Sequence, residues 1–535
     1  LLGEAWRDGI ILTTFVQLFE SLTGPSNRQG LKLPALDSGI VILDEPQALP
    51  KDWWDAIPRL LSILTDEFNA HVISMTATQP SLLREVDTVS LLTTGRTHET
   101  ADCKACRQRP VYKTELPPAT EKDYFDQAER VQYTLDETAL AHQVDSDTGF
   151  VGYKTAAERI IERTQTGEST LAVCNTIASS ATLTETICKT EPVIHLGTVV
   201  REYLTDNNIS AIETDRSARQ IAHEVLASQQ LIPPIAESDS YSTPQRNPLF
   251  VLTFNSRYRP FDRRILINIL TLLSTAPVQF VCVSTQAIEA GVDVSFKTVF
   301  RDIAPIDSIV QAAGRCNRSY EWGKNGGQVI VWTVADPDEE TPASPTDKPP
   351  AEYVYERGSK DAGVHGHLRL ISDVLADVGK IEQIPDVEIS HHAVEAYFES
   401  IHTTKSVANT DLRDHIETAK ARWLSRQSLI GGYETVDVLV AVTEADKMAL
   451  QAITEAFSVN DMYGFKKLDE ASQLRVSLPV RKIEDAPKIP RIDHRDRGEE
   501  GAQVFEYSGG GGLEYGLDSG GLKGVEDTVS ERFLL

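Results

Sequence analysis

The stretch that decides the fold is Val281–Arg318, which reads VCVSTQAIEAGVDVSFKTVFRDIAPIDSIVQAAGRCNR. The apolar run 279–283 predicts a strand, and a second strand and a helix that begins near Pro305 follow it. In an open parallel sheet, ligands bind outside the carboxyl ends of the strands, which is where the polar residues 284–286 and 291–293 fall. The stretch therefore predicts a ligand site at one edge of a parallel sheet.

The predicted helix carries two arginines and an amide. Gln311, Arg315 and Arg318 are spaced i, i+4 and i+7, so an uninterrupted helix would present all three on one face. Gly314 would lie in the helix interior, where glycine costs up to about 1 kcal/mol relative to alanine, so its presence indicates that another group approaches the backbone closely. The alternative interpretation is a solvated arginine face of the kind that surface helices carry.

Apolar runs near the N-terminus predict three more strands, at 10–12, 39–43 and 71–75, and polar residues follow each of them. These residues are Thr13 and Thr14, then Asp44, Glu45 and Gln47, then Thr76 and Thr78. Two adjacent carboxylates at a strand end have a specific use, because Asp44 can hold Mg²⁺ through its water shell and Glu45 can polarise a water for attack on a γ-phosphate. An acidic turn after a strand is the plainer alternative.

Further strand patterns occur at 170–174, 192–196, 249–254 and 328–332, separated by helical stretches. The predicted fold class is α/β, with two doubly wound parallel-sheet domains in tandem and a mainly helical C-terminal domain. The predicted ranges are 1–96 for the C-terminal part of the first domain, 97–150 for a linker or insertion, 151–335 for the second domain, 336–364 for a Pro-rich acidic linker, 365–486 for an accessory domain and 487–535 for a flexible tail.

The composition is strongly acidic, with 52 Lys+Arg against 79 Asp+Glu and a formal net charge of -27 over 535 residues. Because arginine also outnumbers lysine, we expect a protein adapted to concentrated salt. A net anion should avoid nucleic acid, but at roughly 1 M salt the Debye length falls to about 3 Å, so the overall charge does not exclude DNA binding. The sequence has neither a signal-peptide pattern nor an apolar run of membrane-spanning length. We therefore expect a cytoplasmic protein that does not associate with a membrane. We also expect a monomer.

Three other clusters of residues are candidate binding sites. Cys103 and Cys106 form half of a zinc-binding pattern, with His98 as the nearby candidate ligand. His391 and His392 suggest a metal site, but adjacent residues on an α-helix diverge by about 100°, which argues against a shared ion. The segment 257–264 is a local basic cluster with two aromatic residues, which can bind phosphates while the rings stack on bases or pack.

Four motifs occur in a fixed order, namely DEPQ, TAT, STQAIEAGVD and QAAGRCNR. In this order, split over two α/β units, they resemble the superfamily 2 helicases. The segments TTFVQLFESL, VILDEPQALP, SRYRPFDRR and STQAIEAGVD look more specifically like the helicase of the type I CRISPR effector helicase-nuclease family. The resemblance covers about 1–335 and implies two RecA-like domains that bind ATP and Mg²⁺ between them. It further implies movement on single-stranded DNA, with 3′ to 5′ polarity, after recruitment by a guide-RNA surveillance complex.

The resemblance assigns a role to each candidate residue. Asp44 would associate with Mg²⁺, Glu45 would activate the water, and Arg315 and Arg318, on the helix that carries Gln311, would bind the γ-phosphate. Gln47, Gly291, Asp293 and Gly314 would lie at the nucleotide, and Thr76 and Thr78 would couple hydrolysis to strand movement. The candidates for contacts with the DNA backbone are Thr13, Thr14, Asn175, Thr176, Ser256, Arg257, Ser284, Thr285 and Gln286.

Two departures from the family pattern limit these expectations. The 535 residues contain no GxxxxGK[ST] phosphate loop and no HD nuclease residues. Since the chain also starts at Leu1 within a folded pattern, we expect a fragment that hydrolyses little ATP alone. The remaining alternatives are another superfamily 2 helicase, a non-catalytic nucleic-acid-binding scaffold and an unrelated nucleotide-binding α/β enzyme, although QAAGRCNR argues against the last.

Overall fold

The structure is a computed structural model of the 535-residue chain. It describes residues 6, 9–24, 27–50, 53–76, 129–143, 149–231, 248–276, 278–289, 291–335, 349–356, 367–404, 410–424, 435–458, 471–479, 491–492, 504–507 and 514–523. Thr78, His98, Cys103 and Cys106 lie outside the described residues.

The helices are, in chain order, α1 (Phe15–Thr23), α2 (Asn27–Gly30), α3 (Ile57–Asp66), α4 (Tyr153–Gln165), α5 (Ile177–Thr190), α6 (Leu196–Asp206), α7 (Ala218–Ser228), α8 (Pro260–Ser274), α9 (Ile306–Ala313), α10 (Pro350–Tyr355), α11 (His367–Asp377), α12 (Val394–Thr404), α13 (Thr410–Glu417), α14 (Ala421–Leu424) and α15 (Glu444–Ser458).

The strands are β1 (Ile40–Asp44), β2 (His71–Met75), β3 (Val131–Leu135), β4 (Val151–Gly152), β5 (Ser169–Val173), β6 (Val193–His195), β7 (Leu249–Phe254), β8 (Phe280–Ser284), β9 (Thr298–Asp302), β10 (Gly327–Trp332), β11 (Val334–Ala335), β12 (Ile384–Pro385), β13 (Thr435–Val440), β14 (Arg475–Pro479), β15 (Arg491–Ile492), β16 (Val504–Tyr507), β17 (Glu514–Gly516) and β18 (Gly521–Lys523).

The chain divides into two compact units. The first comprises 1–129, 363–370 and 385–432, and the second comprises 130–362, 371–384 and 433–535. In the first unit β1 and β2 pair in parallel, with Asp44 opposite Met75. Amphipathic α3 buries its apolar face, and within this unit the Phe398 ring of α12 lies 4.9 Å from the Trp54 ring.

The second unit is built on an eight-stranded sheet in the order β12-β3-β10-β9-β5-β8-β7-β6. The pairs from β3 through β6 are parallel. Every residue of β7, β8 and β9 is buried, as expected for central strands that are covered on both faces. Helices α4 and α5 supply one side of a core that includes Val281, Val283 and Trp332. The predicted α/β class with RecA-like sheets is confirmed.

Several sequence expectations were wrong in detail. The run at 10–12 forms no strand, and the side chains of Ile10 and Leu12 are 95% and 100% exposed. A strand needs a partner for its backbone groups, and the structure shows none for this run within the described residues. Conversely, β3 lies inside the predicted linker 97–150, and α10 lies inside the predicted linker 336–364.

The C-terminal region contains more strand than predicted. A four-stranded sheet has the order β14-β13-β16-β15, and β17 and β18 form a hairpin in what was expected to be a flexible tail. The hairpin packs within the second unit, where the Leu522 amide donates to the Arg257 carbonyl at 3.0 Å. Gly521 permits this approach because it has φ +88° and a Cβ there would lie 2.5 Å from that carbonyl oxygen.

Candidate nucleotide and nucleic-acid site

The carboxylate pair of the first unit lies where β1 ends. Asp44 is its last residue, and both Asp44 and Glu45 are exposed. Glu45 has a left-handed backbone, with φ 54° and ψ 53°, and its amide donates to the Met75 carbonyl at 2.8 Å. Such a conformation costs a non-glycine residue of the order of 1–2 kcal/mol, and strained residues of this kind cluster at functional sites.

Gln47 joins this carboxylate pair to the end of the neighbouring strand. Its side chain is buried, its Nε2 donates to the Glu45 carboxylate, and its Oε1 accepts from the Thr76 hydroxyl at 2.5 Å. The ends of β1 and β2 are therefore linked by side chains as well as by the sheet.

Two threonines near the N-terminus have different environments. Thr13 is exposed. The Thr14 hydroxyl accepts from the Gln17 amide at 3.2 Å and caps α1, which is an ordinary structural role for threonine. The Thr13 side chain is therefore accessible to a ligand, whereas the Thr14 hydroxyl is bonded in the helix cap.

The two arginines of the second unit are not on one helix face as expected. Helix α9 ends at Ala313, Gly314 is its C-cap, and Arg315 and Arg318 lie beyond it. The tight contact at Gly314 is internal, because a Cβ would lie 3.0 Å from the Gln311 carbonyl oxygen. Gln311 itself is partly exposed on the last turn. The arginines are instead positioned by a loop.

That positioning loop follows β8 and spans 285–295. The Glu289 carbonyl accepts from Arg315 Nη2, and the Asp293 carboxylate accepts from Arg318 Nε at 2.5 Å. Ser295 Oγ also accepts from the Arg318 amide at 2.9 Å. Gly291 has φ +74°, a conformation that favours glycine, so this residue allows the loop to turn between its two arginine contacts.

A buried ionic network supports the positioning loop. The Glu289 carboxylate accepts from Ser308 Oγ at 3.1 Å and lies 3.4 Å from Arg301 Nη2. Burial raises the pKa of Glu289 to about 7, although Arg301 and Ser308 act in the opposite direction. Burial, with help from Arg318, lowers the pKa of Arg315 to about 10, so its guanidinium stays charged near neutral pH.

The structure places most of the predicted DNA contacts of the second unit inside the protein. Asn175 is fully buried, and its side chain bonds to Asp302, to the Ile303 carbonyl and to Arg301. Thr176 forms a capping box with Ser179 at the start of α5. In this conformation these two buried side chains bond within the chain at the strand ends, and their contact with a nucleic acid stays a prediction.

Ser284, Thr285 and Gln286 also bond within the chain. Ser284 Oγ donates to the Phe254 carbonyl at 2.7 Å, and Thr285 caps the short turn Gln286–Ile288. Gln286 Nε2 donates to the Tyr355 hydroxyl at 3.0 Å. Tyr355 belongs to α10, for which the Pro-rich sequence gave no signal.

Ser256 and Arg257 follow β7 and differ in exposure. Ser256 is exposed and Arg257 is buried. Arg257 lines a cleft of about 500 Å³ between α5 and the β17–β18 hairpin, together with His195, Asp518 and Lys523. This cleft lies near the carboxyl ends of β5, β6 and β7, the sheet edge at which a ligand was expected.

The basic cluster at 257–264 is largely a core element, which overturns its interpretation as a phosphate-binding surface. Arg259 is 1% exposed, and its Nε and Nη2 donate to the Asp262 carboxylate at 2.6 and 2.8 Å. Its Nη1 donates to Asp446 at 2.7 Å. The Tyr515 hydroxyl of the C-terminal hairpin donates to Asp262. The cluster ties three distant segments together.

Known proteins match both the sequence and this fold. A family model for "CRISPR-associated nuclease/helicase Cas3, C-terminal" matches residues 166–321, which include the positioning loop and both arginines. The curated CRISPR-associated nuclease/helicase Cas3 of Haloferax volcanii is 55% identical over 538 residues. The chain is therefore similar to Cas3 over nearly its whole length. That match covers 99% of this chain and 57% of the relative, so the chain spans little more than half the length of that Cas3 protein.

The Cas3 likeness extends to the fold. A T. fusca Cas3-AMPPNP crystal structure superimposes with a TM-score of 0.55 at 14% identity, covering 95% of this chain and 56% of that one. The family resemblance drawn from the motifs is confirmed. Among the described residues, no helix is both long and apolar enough to span a membrane.

Sequence reasoning missed several residues that shape the candidate site. Arg301 and Asp302 end the apolar strand β9, and charged residues in such a strand are a usable signal of a buried network. Glu289 lies within a quoted motif but received no role. Tyr355 and Tyr515 had no local signal, because their contacts join residues far apart in sequence.

Proposed function

We propose that this chain is the helicase portion of an ATP-driven translocase that acts on single-stranded DNA in CRISPR interference. The observation that carries the proposal is the positioning loop 285–295, which holds Arg315 and Arg318 beyond the end of α9. The 55% identity to a Cas3 nuclease/helicase supports the same function. Because the chain spans only part of that relative, the activity is proposed for the whole protein.

Arg315 fits a phosphate ligand. Its Nε is buried and has no hydrogen-bond partner among the residues that the structure describes, and Nη2 is held by the Glu289 carbonyl. A permanently charged guanidinium with spare donors suits the developing charge of a phosphoryl group. We assign Arg315 and Arg318 to the γ-phosphate of ATP, with Gly291 and Asp293 nearby at the nucleotide and Gln311 and Gly314 on the supporting helix end.

The carboxylates of the first unit fit Mg²⁺ and a hydrolytic water. Asp44 and Glu45 offer exposed hard oxygen atoms, which Mg²⁺ prefers, and bound Mg²⁺ would neutralise phosphate charge. Glu45 is proposed to accept a proton from the attacking water. Its backbone conformation and the Gln47 amide orient the carboxylate, and Gln47 is proposed to pass a change at the nucleotide to Thr76.

No GxxxxGK[ST] occurs in the 535 residues, so the chain alone is expected to bind ATP weakly and hydrolyse little. The exposed Thr13 and Ser256 are proposed contacts to the DNA backbone, since neutral hydroxyl donors suffice for phosphate oxygens. Recruitment by a guide-RNA surveillance complex is proposed on the family resemblance.

The test uses a complemented protein, in which this chain is joined to the part of the Haloferax volcanii relative that lies outside the match. ATP hydrolysis is measured with and without single-stranded DNA at molar KCl. DNA should stimulate hydrolysis, and Glu45→Gln should abolish turnover while nucleotide binding remains. Glu67→Gln, at another exposed carboxylate of the first unit, is the matched control. DNA binding without any turnover in the complemented protein would favour the non-catalytic scaffold instead.

The acidic surface supports a proposal about conditions. With a net charge of -27, self-repulsion at low ionic strength destabilises the compact state, and salt screens it. We therefore expect the unfolding midpoint to rise between 0.1 and about 2 M KCl, over which the Debye length falls below about 10 Å. Stability that is indifferent to KCl would contradict adaptation to salt.

A further inference from the structure

The segment before α12 contains an unusual helical turn. Residues Glu388–Ala393 form a π-helix that runs directly into α12. Short π segments insert an extra residue into a helix and are frequent at functional sites. The expectation that His391 and His392 diverge too far to share a ligand assumed an α-helix, whereas the structure has a π-helix here. Their ring centroids lie 5.0 Å apart, with 32° between the ring planes.

A carboxylate completes the group. One ligand atom each from His391, His392 and Glu395 lie within 4.8 Å of one another, and His391 Nδ1 is 3.9 Å from a Glu395 carboxylate oxygen. Ligands that share a tetrahedral zinc ion lie about 3.3 Å apart, given metal–nitrogen bonds of about 2.0–2.1 Å. The three side chains therefore need only a small inward turn to meet one ion.

The opposite face of the helix fixes the backbone that carries these ligands. The Tyr397 hydroxyl is 2.6 Å from His367 Nε2, and the Phe398 ring packs on Trp54. On the outer face His391 is half-buried, whereas His392 and Glu395 are exposed. Two of the three side chains are thus exposed to solvent on a packed helix, which reduces the ordering cost of binding an ion.

We propose that His391, His392 and Glu395 bind one divalent transition-metal ion of the zinc class, with water in the remaining position. Two imidazoles and a carboxylate are an established zinc ligand set, and imidazole favours such ions over Mg²⁺ and Ca²⁺. The negative protein surface also raises the local concentration of cations. This site uses none of the residues assigned to ATP, so it stands or falls independently of the helicase proposal.

The experiment titrates Co²⁺ into the chelator-treated 535-residue chain and follows d–d absorption, and Zn²⁺ then displaces the cobalt. The background is Cys103→Ser/Cys106→Ser, which removes the other zinc-like pattern. We expect one ion per chain, and we expect Zn²⁺, but not Mg²⁺, to raise the unfolding midpoint, because a ligand that binds the folded state stabilises it.

The variants decide whether the named residues are the ligands. His392→Ala and Glu395→Gln should each weaken Co²⁺ binding by at least about 10-fold, the lower range of the effect seen even for outer-shell partners. His71→Ala, at an exposed histidine on β2, is the matched control and should bind as the parent does. Circular dichroism checks that each variant is folded. Binding that survives both substitutions, or affinity only in the millimolar range, would overturn the proposal as an adventitious ion only.

Discussion

Segments 257–264 and 311–318 of the second unit both carry arginines, but these arginines have different environments in the structure. Arg259 is buried and meets two carboxylates, from Asp262 and Asp446. Arg318 is 38% exposed and meets the highly exposed Asp293, and Arg315 is held chiefly by a backbone carbonyl. The donors of Arg259 are thus matched by two buried carboxylates, whereas Arg315 Nε has no partner among the described residues.

The local sequence gives part of this distinction. Asp262 lies three residues after Arg259, so the pair is made within the first turn of α8. Around Arg315 no acidic residue lies within one helical turn in sequence. The second carboxylate of the Arg259 cluster comes from Asp446, which only the folded chain brings close.

The largest effect is expected at Arg315. In the complemented protein, Arg315→Ala should lower kcat for DNA-stimulated ATP hydrolysis by roughly 10³-fold or more, the effect typical of an arginine that stabilises phosphoryl transfer. Steady-state hydrolysis measures it, with Arg264→Ala as the exposed control in the other segment. Full activity of Arg315→Ala would show that segment 311–318 does not act in ATP hydrolysis, so the two segments would not differ in function.

Arg259→Met should instead act on stability. Removing this guanidinium leaves Asp262 and Asp446 buried without their cation, which should cost about 3–5 kcal/mol of the free energy of unfolding. Chemical denaturation measures this, and Arg264→Met should stay within about 0.5 kcal/mol of the parent. If Arg259→Met folds as stably as the parent, the cluster is not structural.

The pH dependence of the free energy of unfolding tests the burial of His195, which lies near segment 257–264. Burial lowers the pKa of His195, which lines the cleft beside Arg257, to about 4. The unfolded chain titrates near its ordinary value of about 6.5. Below that pH the unfolded state takes up the proton first, so stability present above pH 6.5 is lost as the pH falls towards 4, by up to about 3 kcal/mol.

His195→Gln should remove this part of the pH dependence. Denaturation at pH 7 and pH 5 measures it, and His142→Gln is a useful comparison because burial also lowers the pKa of His142 to about 4. An unchanged difference between the two pH values in His195→Gln would show that this ring is not the group that titrates.

A smaller effect is expected at Glu289, which positions the second segment. Glu289→Gln keeps the shape of the side chain and the backbone carbonyl but removes the charge that faces Arg301. We expect kcat for ATP hydrolysis to fall roughly 10-fold, because one charged hydrogen bond contributes about 1.5 kcal/mol. In the Arg315→Ala background the same substitution should have no further effect. Additive losses would mean that Glu289 does not act through Arg315.

The sequence predicted the parts of the molecule that local patterns determine. Continuous apolar runs located β7 and β8 closely because buried parallel strands have that composition. The same strands also predicted that the candidate site would lie at the carboxyl ends of the sheet strands. Local patterns did not show that Asn175 would be buried by Arg301 and Asp302, because those partners come from a distant strand.

Long-range contacts explain the other failures. Tyr515 reaches Asp262 across 253 residues, so no pattern in the tail signals the hairpin. The assumption of an uninterrupted helix failed at Gly314 because the chain turns there to meet the positioning loop. The sequence pattern also did not predict the π-helix at Glu388–Ala393, which carries two adjacent histidines.

Arginine labelling tests the contrast between the two segments most directly. The complemented protein is treated with a guanidinium-specific dicarbonyl reagent, with and without Mg²⁺ and a non-hydrolysable ATP analogue, and each arginine is quantified by mass spectrometry. We predict that Arg318 reacts in the free protein and is protected by nucleotide, while the buried Arg259 stays unreactive in both states. Reaction of Arg259 at the rate of a surface arginine, or reaction of Arg318 that nucleotide does not change, would contradict the account.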